Sequence, residues 1–199
     1  MSVKVYVEGG GDSNQLRRQC RGGFREFFSK AGLEGHMPRV VACGSRQRAY
    51  DQFCASINDA EAGSFIVLLV DSEAAVASGD SPWEHLKKRD KWTRPSVAED
   101  DSAQLMVQCM EAWFVADRQS LGAYFGKDFK AATLPKREDV EAIAKDDLLR
   151  TLKQATMPCS KGTYNKGRHS FELLGCLDPS KVLDSSCHAR RLIDALKRS

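Results

Sequence analysis

The sequence lacks the features that assign a protein to a class at first sight. It has no apolar run near the roughly 20 residues of a membrane-spanning helix, and it leads into a strand pattern without a secretory signal segment. It has no internal repeat, and its net charge of +3 is too small to indicate nucleic-acid binding by itself. The 199 residues correspond to about one domain. We therefore expect a cytoplasmic globular protein without a membrane partner.

Nucleotide-binding motifs are also missing, although residues 9–11 are three consecutive glycines. A dinucleotide fingerprint would need a glycine in place of Asn14, and the Gly-Lys-Ser/Thr sequence of a P-loop does not occur. Glu8 and Asp12 flank the glycines and would repel a phosphate unless a cation lay between them. The glycines therefore indicate a turn rather than a nucleotide site.

The seven cysteines contain no Cys-x-x-Cys pair. Four lie within apolar patterns and fit reduced thiols in a core: Cys20, Cys43, Cys54 and Cys109. Four residues could be gathered into a zinc site, but their spacings match no usual pattern: Cys159, Cys176, Cys187 and His188. The sequence therefore does not predict a zinc site.

Four short apolar segments predict strands: residues 3–7, 38–43, 65–71 and 104–109. Amphipathic helical patterns separate the first three segments: residues 13–31 and 46–62. This alternation predicts an α/β fold with a mostly parallel four-stranded sheet flanked by helices. Later helical patterns lie at 140–155, 171–176 and 187–197. We expect residues 1–130 to form the α/β core and residues 131–199 to form a helical C-terminal extension of the same domain.

Carboxylates follow two of the predicted strands. Glu8 comes directly after the first strand, and Asp71 and Glu73 end the third. If the extended conformation persists, Asp71 and Glu73 project to the same side, and a parallel sheet brings Glu8 to the same edge. Clustered anions repel one another unless a cation is bound, and Mg²⁺ prefers carboxylate ligands. The pattern predicts a Mg²⁺ (or Mn²⁺) site, and a solvated strand-to-helix turn is the structural alternative.

Glu111 lies at a similar junction, between the last strand and a helix expected to continue to about Tyr124. Asp117 is six residues further along, about 120° round an ideal helix, so both can reach one site only near the helix start. We expect Glu111 to join the acidic site, with Asp117 as a further candidate ligand.

Basic residues form two groups that could contact a nucleic acid or simply face solvent. One group follows the outer face of the first helix: Arg17, Arg21 and Arg25. The other lies in the polar loop after the third strand, interleaved with tryptophans: Lys87 and Lys88 with Trp83 and Trp92. Arginine stripes can hold phosphates and tryptophans can stack on bases, whereas the alternative is a solvated loop anchored by its tryptophans.

The motifs, in this order, resemble the Toprim fold of topoisomerases, bacterial primases and the overcoming-lysogenisation-defect nucleases. The first two are Val7-Glu8-Gly9 and Leu69-Val70-Asp71-Ser72-Glu73. The later ones look like those of small, mostly uncharacterised bacterial Toprim-like proteins grouped as a domain of unknown function: residues 110–117, 164–166, 177–182 and 191–196. The resemblance covers nearly the whole chain.

The resemblance implies a set of site residues. Glu8, Asp71 and Glu73 would bind one or two Mg²⁺, Glu111 and Asp117 would add or orient a ligand, and Lys166 would offset charge on the phosphate. Glu73 departs from the usual second aspartate, and its longer side chain places its oxygens farther out. The polar segment around Lys166 also supplies candidate nucleic-acid contacts and a possible proton donor: Lys161, Arg168 and His169. The alternative for His169 is a structural role.

Three functions follow from these expectations. The first is a metal-dependent nuclease acting on DNA or RNA, with Glu8, Glu111 and Lys166 in catalysis. The resemblance also implies a role in phage defence beside an ATPase partner. The second is a non-catalytic binding or sensing subunit, and the third is a small-molecule phosphohydrolase. We do not expect a primase or topoisomerase, because those proteins need further domains beyond about 199 residues.

Overall fold

Residues 2–199 are described by a computed structural model whose centre is a four-stranded sheet. The strands are β1 (Val3–Val7), β2 (Arg39–Ala42), β3 (Phe65–Asp71) and β4 (Ala103–Met106). Their order in the sheet is β2-β1-β3-β4, and every neighbouring pair is parallel. The predicted α/β class and parallel sheet are confirmed.

Helices connect the strands and then follow the sheet. The connecting helices are α1 (Asn14–Phe28), continued by a π-helical turn (Ser29–Leu33), α2 (Arg46–Asn58) and α3 (Pro82–Asp90). The later helices are α4 (Glu111–Ala116), α5 (Arg118–Phe125), α6 (Lys145–Thr156), α7 (Lys166–Cys176), α8 (Pro179–Ser185) and α9 (Cys187–Arg198). Short 3-10 turns lie at Asp100–Ser102, Ala131–Thr133 and Val140–Ala142. No helix among residues 2–199 is long and apolar enough to cross a membrane.

The structure differs from the predicted elements in several places, and α6 and α7 begin at Lys145 and Lys166 instead of near residues 140 and 171. Helix α2 ends at Asn58 rather than near residue 62. The helix expected to run on to Tyr124 breaks at Asp117, whose side chain accepts a hydrogen bond from the Ser120 N–H (3.2 Å) and so begins α5. Helix α8 was not predicted, because seven residues are too few to display a helical period.

Alternate side chains of β3 face two different cores. Val67 and Leu69 lie in the larger core, with α1 and the C-terminal helices, whereas Leu68 and Val70 lie in the smaller core beside α2 and α3. Because side chains alternate along a strand, Asp71 at the end of β3 points to the same side as Leu69. This acid therefore faces the C-terminal helices.

The strand order reverses beside β1. The chain leaves β1 for β2 on one side, then crosses to β3 on the other side of β1. In open parallel sheets, ligands bind in the crevice outside the carboxyl ends of the strands at such a point. Glu8 and Asp71 stand on the two sides of this crevice.

Helix α1 packs closely on α7 at Gly23. A Cβ at this position would overlap the carbonyl oxygen of Phe171, whereas a Cβ at the neighbouring Gly22 would meet nothing within 4 Å. The close approach brings the start of α7, with Lys166, over the larger core and towards the end of β3.

Candidate functional site

Three carboxylates converge at the carboxyl edge of the sheet. Glu8, Asp71 and Glu73 each offer an oxygen, and these oxygens all lie within 4.8 Å of one another. Asp71 is buried, while Glu8 and Glu73 are partly exposed. The structure thus brings together the three residues predicted as the primary metal ligands.

Glu73 reaches the cluster by a different route from the predicted one. The extended conformation does not persist beyond Asp71, because Glu73 adopts a left-handed backbone conformation with φ of 67°. Its N–H donates to the Gln108 carbonyl (2.7 Å), which fixes the turn. The turn, rather than the strand period, therefore aims this side chain at the site.

Asp71 is the most buried of the three acids, at 1% exposure. Its Oδ1 accepts a hydrogen bond from the Met110 N–H (2.8 Å), and its Oδ2 accepts one from Lys166 Nζ (3.2 Å). Burial raises the pKa of Asp71 to about 6, with Glu111 and Glu8 adding to the rise and Lys166 opposing it. The cluster therefore holds an acid whose ionisation is costly without an additional cation.

Glu111 lies beneath Lys166 and is fully buried. Its Oε1 accepts a hydrogen bond from the Tyr164 hydroxyl (2.9 Å), whereas its Oε2 has no hydrogen-bond partner among the described residues. Lys166 Nζ is 3.8 Å from that Oε2, so the lysine stands between Asp71 and Glu111. The Lys166 side chain is half exposed, and although its partial desolvation opposes the charge, Asp71 and Glu111 raise its pKa above the usual value, so it remains a cation.

Arg46 organises the other side of the cluster. Its guanidinium donates to both carboxylate oxygens of Asp90 (3.0 and 2.7 Å), to Glu8 (3.2 Å) and to the backbone carbonyl of Asp71. The guanidinium also lies 5.0 Å from the centre of the Trp92 ring. Ser45 caps α2 and places Arg46 in the first turn, directly after β2 reaches the same edge.

Glu73 is held by Lys145, the first residue of α6. The Lys145 Nζ donates to Glu73 Oε2 (2.5 Å), and Arg89 approaches the same oxygen at 3.9 Å. Burial alone would raise the pKa of Glu73, but the hydrogen bond and charge of Lys145 lower it below the usual value. Each of the three clustered acids therefore has its own basic partner.

Two of these basic partners, Arg46 and Lys145, were not predicted. Arg46 could have been found from its position just after β2, because that position lies at the same sheet edge as Glu8. Lys145 is separated from Glu73 by 72 residues without a shared motif, so no sequence signal connected them.

Asp117 does not belong to the site, which corrects the prediction. Its carboxylate accepts hydrogen bonds from the N–H groups of Ser120 (3.2 Å) and Asp178 (2.9 Å) and from Lys181 Nζ (3.0 Å). Because the helix breaks at Asp117, the side chain joins α5 to the start of α8 instead of reaching the sheet edge.

The tryptophans in the basic loop do not present their rings to bases. Trp83 and Trp92 are 5% and 6% exposed, and Trp92 stacks on Tyr50 with ring centres 4.4 Å apart. Both are anchors, as the structural alternative proposed. Lys88 pairs with Asp80 (2.5 Å), and Lys87 is exposed on the same helix.

The basic residues of α1 instead face a groove along β2. This arginine groove, about 520 Å³ in volume, is lined by Arg17 and Arg21 from α1, Arg39 from β2 and Arg48 from α2. Arg48 pairs with the exposed Asp12 (2.8 Å), and the other three have no carboxylate partner among residues 2–199. The groove also includes Cys43, which precedes Gly44, and Gly44 pairs with Gly9 next to Glu8.

The remaining predicted contacts lie near the start of α7. Arg168 is exposed, and Lys161 Nζ lies 4.2 Å from the centre of the Tyr124 ring. His169 is buried, with its Nδ1 accepting the Asn165 N–H (3.0 Å) and its ring 5.5 Å from that of Phe125. The surroundings of His169 fit the structural alternative.

Comparison with known proteins leads to one family. Neither the curated proteins nor the solved structures contain a match to this chain. A family model described as a domain of unknown function, DUF4276, matches residues 7–197. This match covers all of the site residues described above and nearly the whole sequence. The chain therefore belongs to the DUF4276 family.

Proposed function

We propose that the protein is a metal-dependent phosphodiesterase that cleaves DNA or RNA. One observation carries this proposal: carboxylate oxygens of Glu8, Asp71 and Glu73 lie within 4.8 Å of one another at the reversal of strand order. The resemblance to Toprim nucleases agrees with this assignment, and it also suggests an ATPase partner in phage defence.

The residues at this edge fit Mg²⁺ or Mn²⁺. The donor atoms are all oxygens, which these hard cations prefer. The buried Oε2 of Glu111 has no hydrogen-bond partner among the described residues and lies 3.8 Å from the Nζ of Lys166, which also binds Asp71, although Glu111 is not one of the three acids whose oxygens lie within 4.8 Å of one another. The ion pairs of the site join five carboxylates to four basic side chains. The carboxylates are those of Glu8, Asp71, Glu73, Asp90 and Glu111, and the basic residues are Arg46, Arg89, Lys145 and Lys166. One negative charge is therefore left for a metal ion to balance.

The chain's own residues would perform the remaining tasks. When bound, Mg²⁺ would polarise a phosphoryl oxygen of the substrate and make a bound water more acidic. Lys166, which stays charged between Asp71 and Glu111, would stabilise the negative charge that develops on the phosphate. Arg46 keeps Glu8 at the edge through its anchoring pair with Asp90.

The arginine groove supports a nucleic acid as the substrate. Three of its arginines have no carboxylate partner among residues 2–199, and its lining includes Cys43, which precedes Gly44, the residue that pairs with Gly9 next to Glu8. A nucleic acid lying along β2 would release bound counterions as these arginines neutralise its phosphates. Its affinity should therefore fall steeply as the salt concentration rises.

The test combines metal binding with cleavage. We expect Mn²⁺ or Mg²⁺ to raise the melting temperature of the wild-type protein. At 100 times its dissociation constant, the ion should raise the free energy of unfolding by about 2.7 kcal/mol. We also expect metal-dependent cleavage of single- or double-stranded DNA or RNA. Asp71→Asn should abolish both effects, whereas Asp12→Asn, an exposed acid at the same edge, should keep both.

Cleavage that survives in Asp71→Asn would contradict the proposal. Turnover of a small phosphate ester without cleavage of any nucleic acid would instead identify the third predicted function, a small-molecule phosphohydrolase.

A second function, a non-catalytic binding or sensing subunit, is favoured by one observation. Each clustered acid already has a basic partner, namely Arg46 for Glu8, Lys166 for Asp71 and Lys145 for Glu73. A network of this kind can be stable without a metal. Nucleic-acid binding that needs the arginine groove but neither metal nor Asp71 would support this second function.

A further inference from the structure

A second group of potential metal ligands lies at the start of α9 and shares no residue with the acidic cluster. Glu141, from the 3-10 turn Val140–Ala142, contacts two consecutive residues of α9, Cys187 and His188. One ligand atom from each lies within 4.8 Å of the other two. The three residues supply oxygen, sulfur and nitrogen, which is a donor set typical of Zn²⁺.

The separations of the three donor atoms are close to those of a tetrahedral zinc site. Cys187 Sγ is 3.4 Å from His188 Nδ1 and 3.2 Å from Glu141 Oε2, and Nδ1 is 2.8 Å from Oε2. Typical zinc–ligand bonds of about 2.0–2.3 Å place tetrahedral donors roughly 3.3–3.6 Å apart. Small side-chain movements would therefore bring all three to bonding distance of one ion.

The carboxylate of Glu141 is held in place through its other oxygen. Oε1 accepts hydrogen bonds from the Ser186 hydroxyl (2.5 Å) and from the His188 N–H (2.9 Å). Oε2 contacts only the thiol and the imidazole, which are the two groups that would share the metal with it. Hydrogen bonds that orient a ligand through its non-coordinating atom are common around metal sites.

The surroundings of this group are acidic and open. A depression of about 330 Å³ beside it is lined by Glu138, Asp139 and Asp184, and its one arginine, Arg190, pairs with Asp184 (3.4 Å). Cys187 is exposed, so an ion can reach the sulfur from solvent and keep a water as its fourth ligand.

A catalytic thiol is a poorer explanation of the same contacts. The carboxylate touches the thiol itself instead of orienting the imidazole from the far side.

We propose that Glu141, Cys187 and His188 form a Zn²⁺ site. On binding, the Cys187 thiol would release its proton to solvent, and His188 would bind through Nδ1 as the neutral imidazole that carries its one ring proton at Nε2. The ion would connect the 3-10 turn to α9 across 46 residues of sequence. The ion would have three protein ligands and a water, and the proposal does not depend on the proposed nuclease activity.

Cobalt absorption tests the proposal, because Co²⁺ reports on thiolate coordination in zinc sites. The protein is first freed of metal with EDTA and then titrated with Co²⁺, and Zn²⁺ is added last. We expect a thiolate-to-cobalt charge-transfer band in the near ultraviolet that saturates at one ion and disappears when Zn²⁺ is added. The band should be lost in Cys187→Ser and kept in Cys176→Ser, which changes the other exposed cysteine. It should also be kept in Asp71→Asn, whose acid belongs to the sheet-edge cluster.

Alkylation of the wild-type protein provides a test that no folding defect can obscure. Cys187 and Cys176 are both exposed, so iodoacetamide should modify both in EDTA. With Zn²⁺ present, we expect protection of Cys187 alone, measured by peptide mass spectrometry. No thiolate band, a band that survives Cys187→Ser, or equal alkylation of the two cysteines with and without Zn²⁺ would overturn the proposal.

Discussion

Single residues at the sheet edge show how the site balances its charges. Asp71 has one backbone N–H and one lysine as partners, yet burial still raises its pKa to about 6. The pKa of Asp71 is 3.8 in the unfolded chain and about 6 in the folded protein, so folding favours the protonated acid. The resulting contribution to the free energy of unfolding is fully present below pH 3.8 and is lost as the pH rises through about 6. Ionised Asp71 therefore lowers the stability of the metal-free protein at neutral pH.

This balance predicts the effect of Asp71→Asn on stability. In EDTA at pH 7.5, we expect the variant to be more stable than the wild type by up to about 3 kcal/mol, because the amide carries no charge to bury. The difference should be small near pH 4, grow between pH 4 and 6, and stay constant above. Urea unfolding across this pH range measures it. A difference that shrinks as the pH rises would show that the pKa of Asp71 is lowered instead.

The site residues that could be predicted from the sequence are those that lie at or just after the end of a strand. Glu8, Asp71 and Glu111 follow apolar runs, and the parallel sheet brings such positions to one edge. Asp117 was a wrong prediction because its position assumed an unbroken helix. Lys145 could not be predicted, since its approach to Glu73 depends on how α6 packs rather than on any local pattern.

At the scale of elements, the contact of α1 with α7 determines where Lys166 lies. The contact depends on Gly23, which leaves room for the Phe171 backbone. Of the two adjacent glycines, Gly22 and Gly23, only Gly23 lies at this close contact.

The adjacent glycines give a matched pair of substitutions. Gly22→Ala should raise the free energy of unfolding by about 0.5–1 kcal/mol, because alanine loses less backbone entropy in a helix and meets no neighbour. Gly23→Ala should lower it by about 1–3 kcal/mol or more, because its Cβ overlaps the Phe171 carbonyl. Urea unfolding compares the two. Equal effects of both changes would contradict the close packing of α1 on α7.

Element boundaries were predicted best where a strong local signal was present. Ser13 and Ser45 cap α1 and α2 through hydrogen bonds to Leu16 N (3.1 Å) and Arg48 N (3.3 Å). Helix α8 has an equally clear cap at Asp178. It was not predicted, because seven residues show no helical period and the sequence around Pro179 is also typical of a loop.

At the scale of the whole molecule, residues 131–199 complete the main core. Val5 from β1, Phe28 from α1 and Leu192 from α9 belong to the same buried cluster. The C-terminal part also contributes Lys166 and Tyr164 to the acidic site. The predicted division at residue 130 therefore separates parts that share one interior.

This shared interior predicts a single cooperative unfolding transition. Circular dichroism in the far ultraviolet and tryptophan fluorescence should give the same urea midpoint. A fragment of residues 2–130 should not fold, because much of its apolar surface would be exposed. Two separated midpoints, or a fragment with native-like chemical-shift dispersion in its NMR spectrum, would show that the parts fold independently.

The arginine groove has a second consequence, for solubility. β2 is an edge strand, and such a strand can pair with the edge of another molecule unless charge or covering elements prevent it. Arg39 lies on this strand, and Arg17, Arg21 and Arg48 flank it. Two copies that approached edge to edge would bring these positive charges together. We therefore expect the same arginines that would attract a nucleic acid also to oppose pairing of β2 with the β2 edge of a second copy.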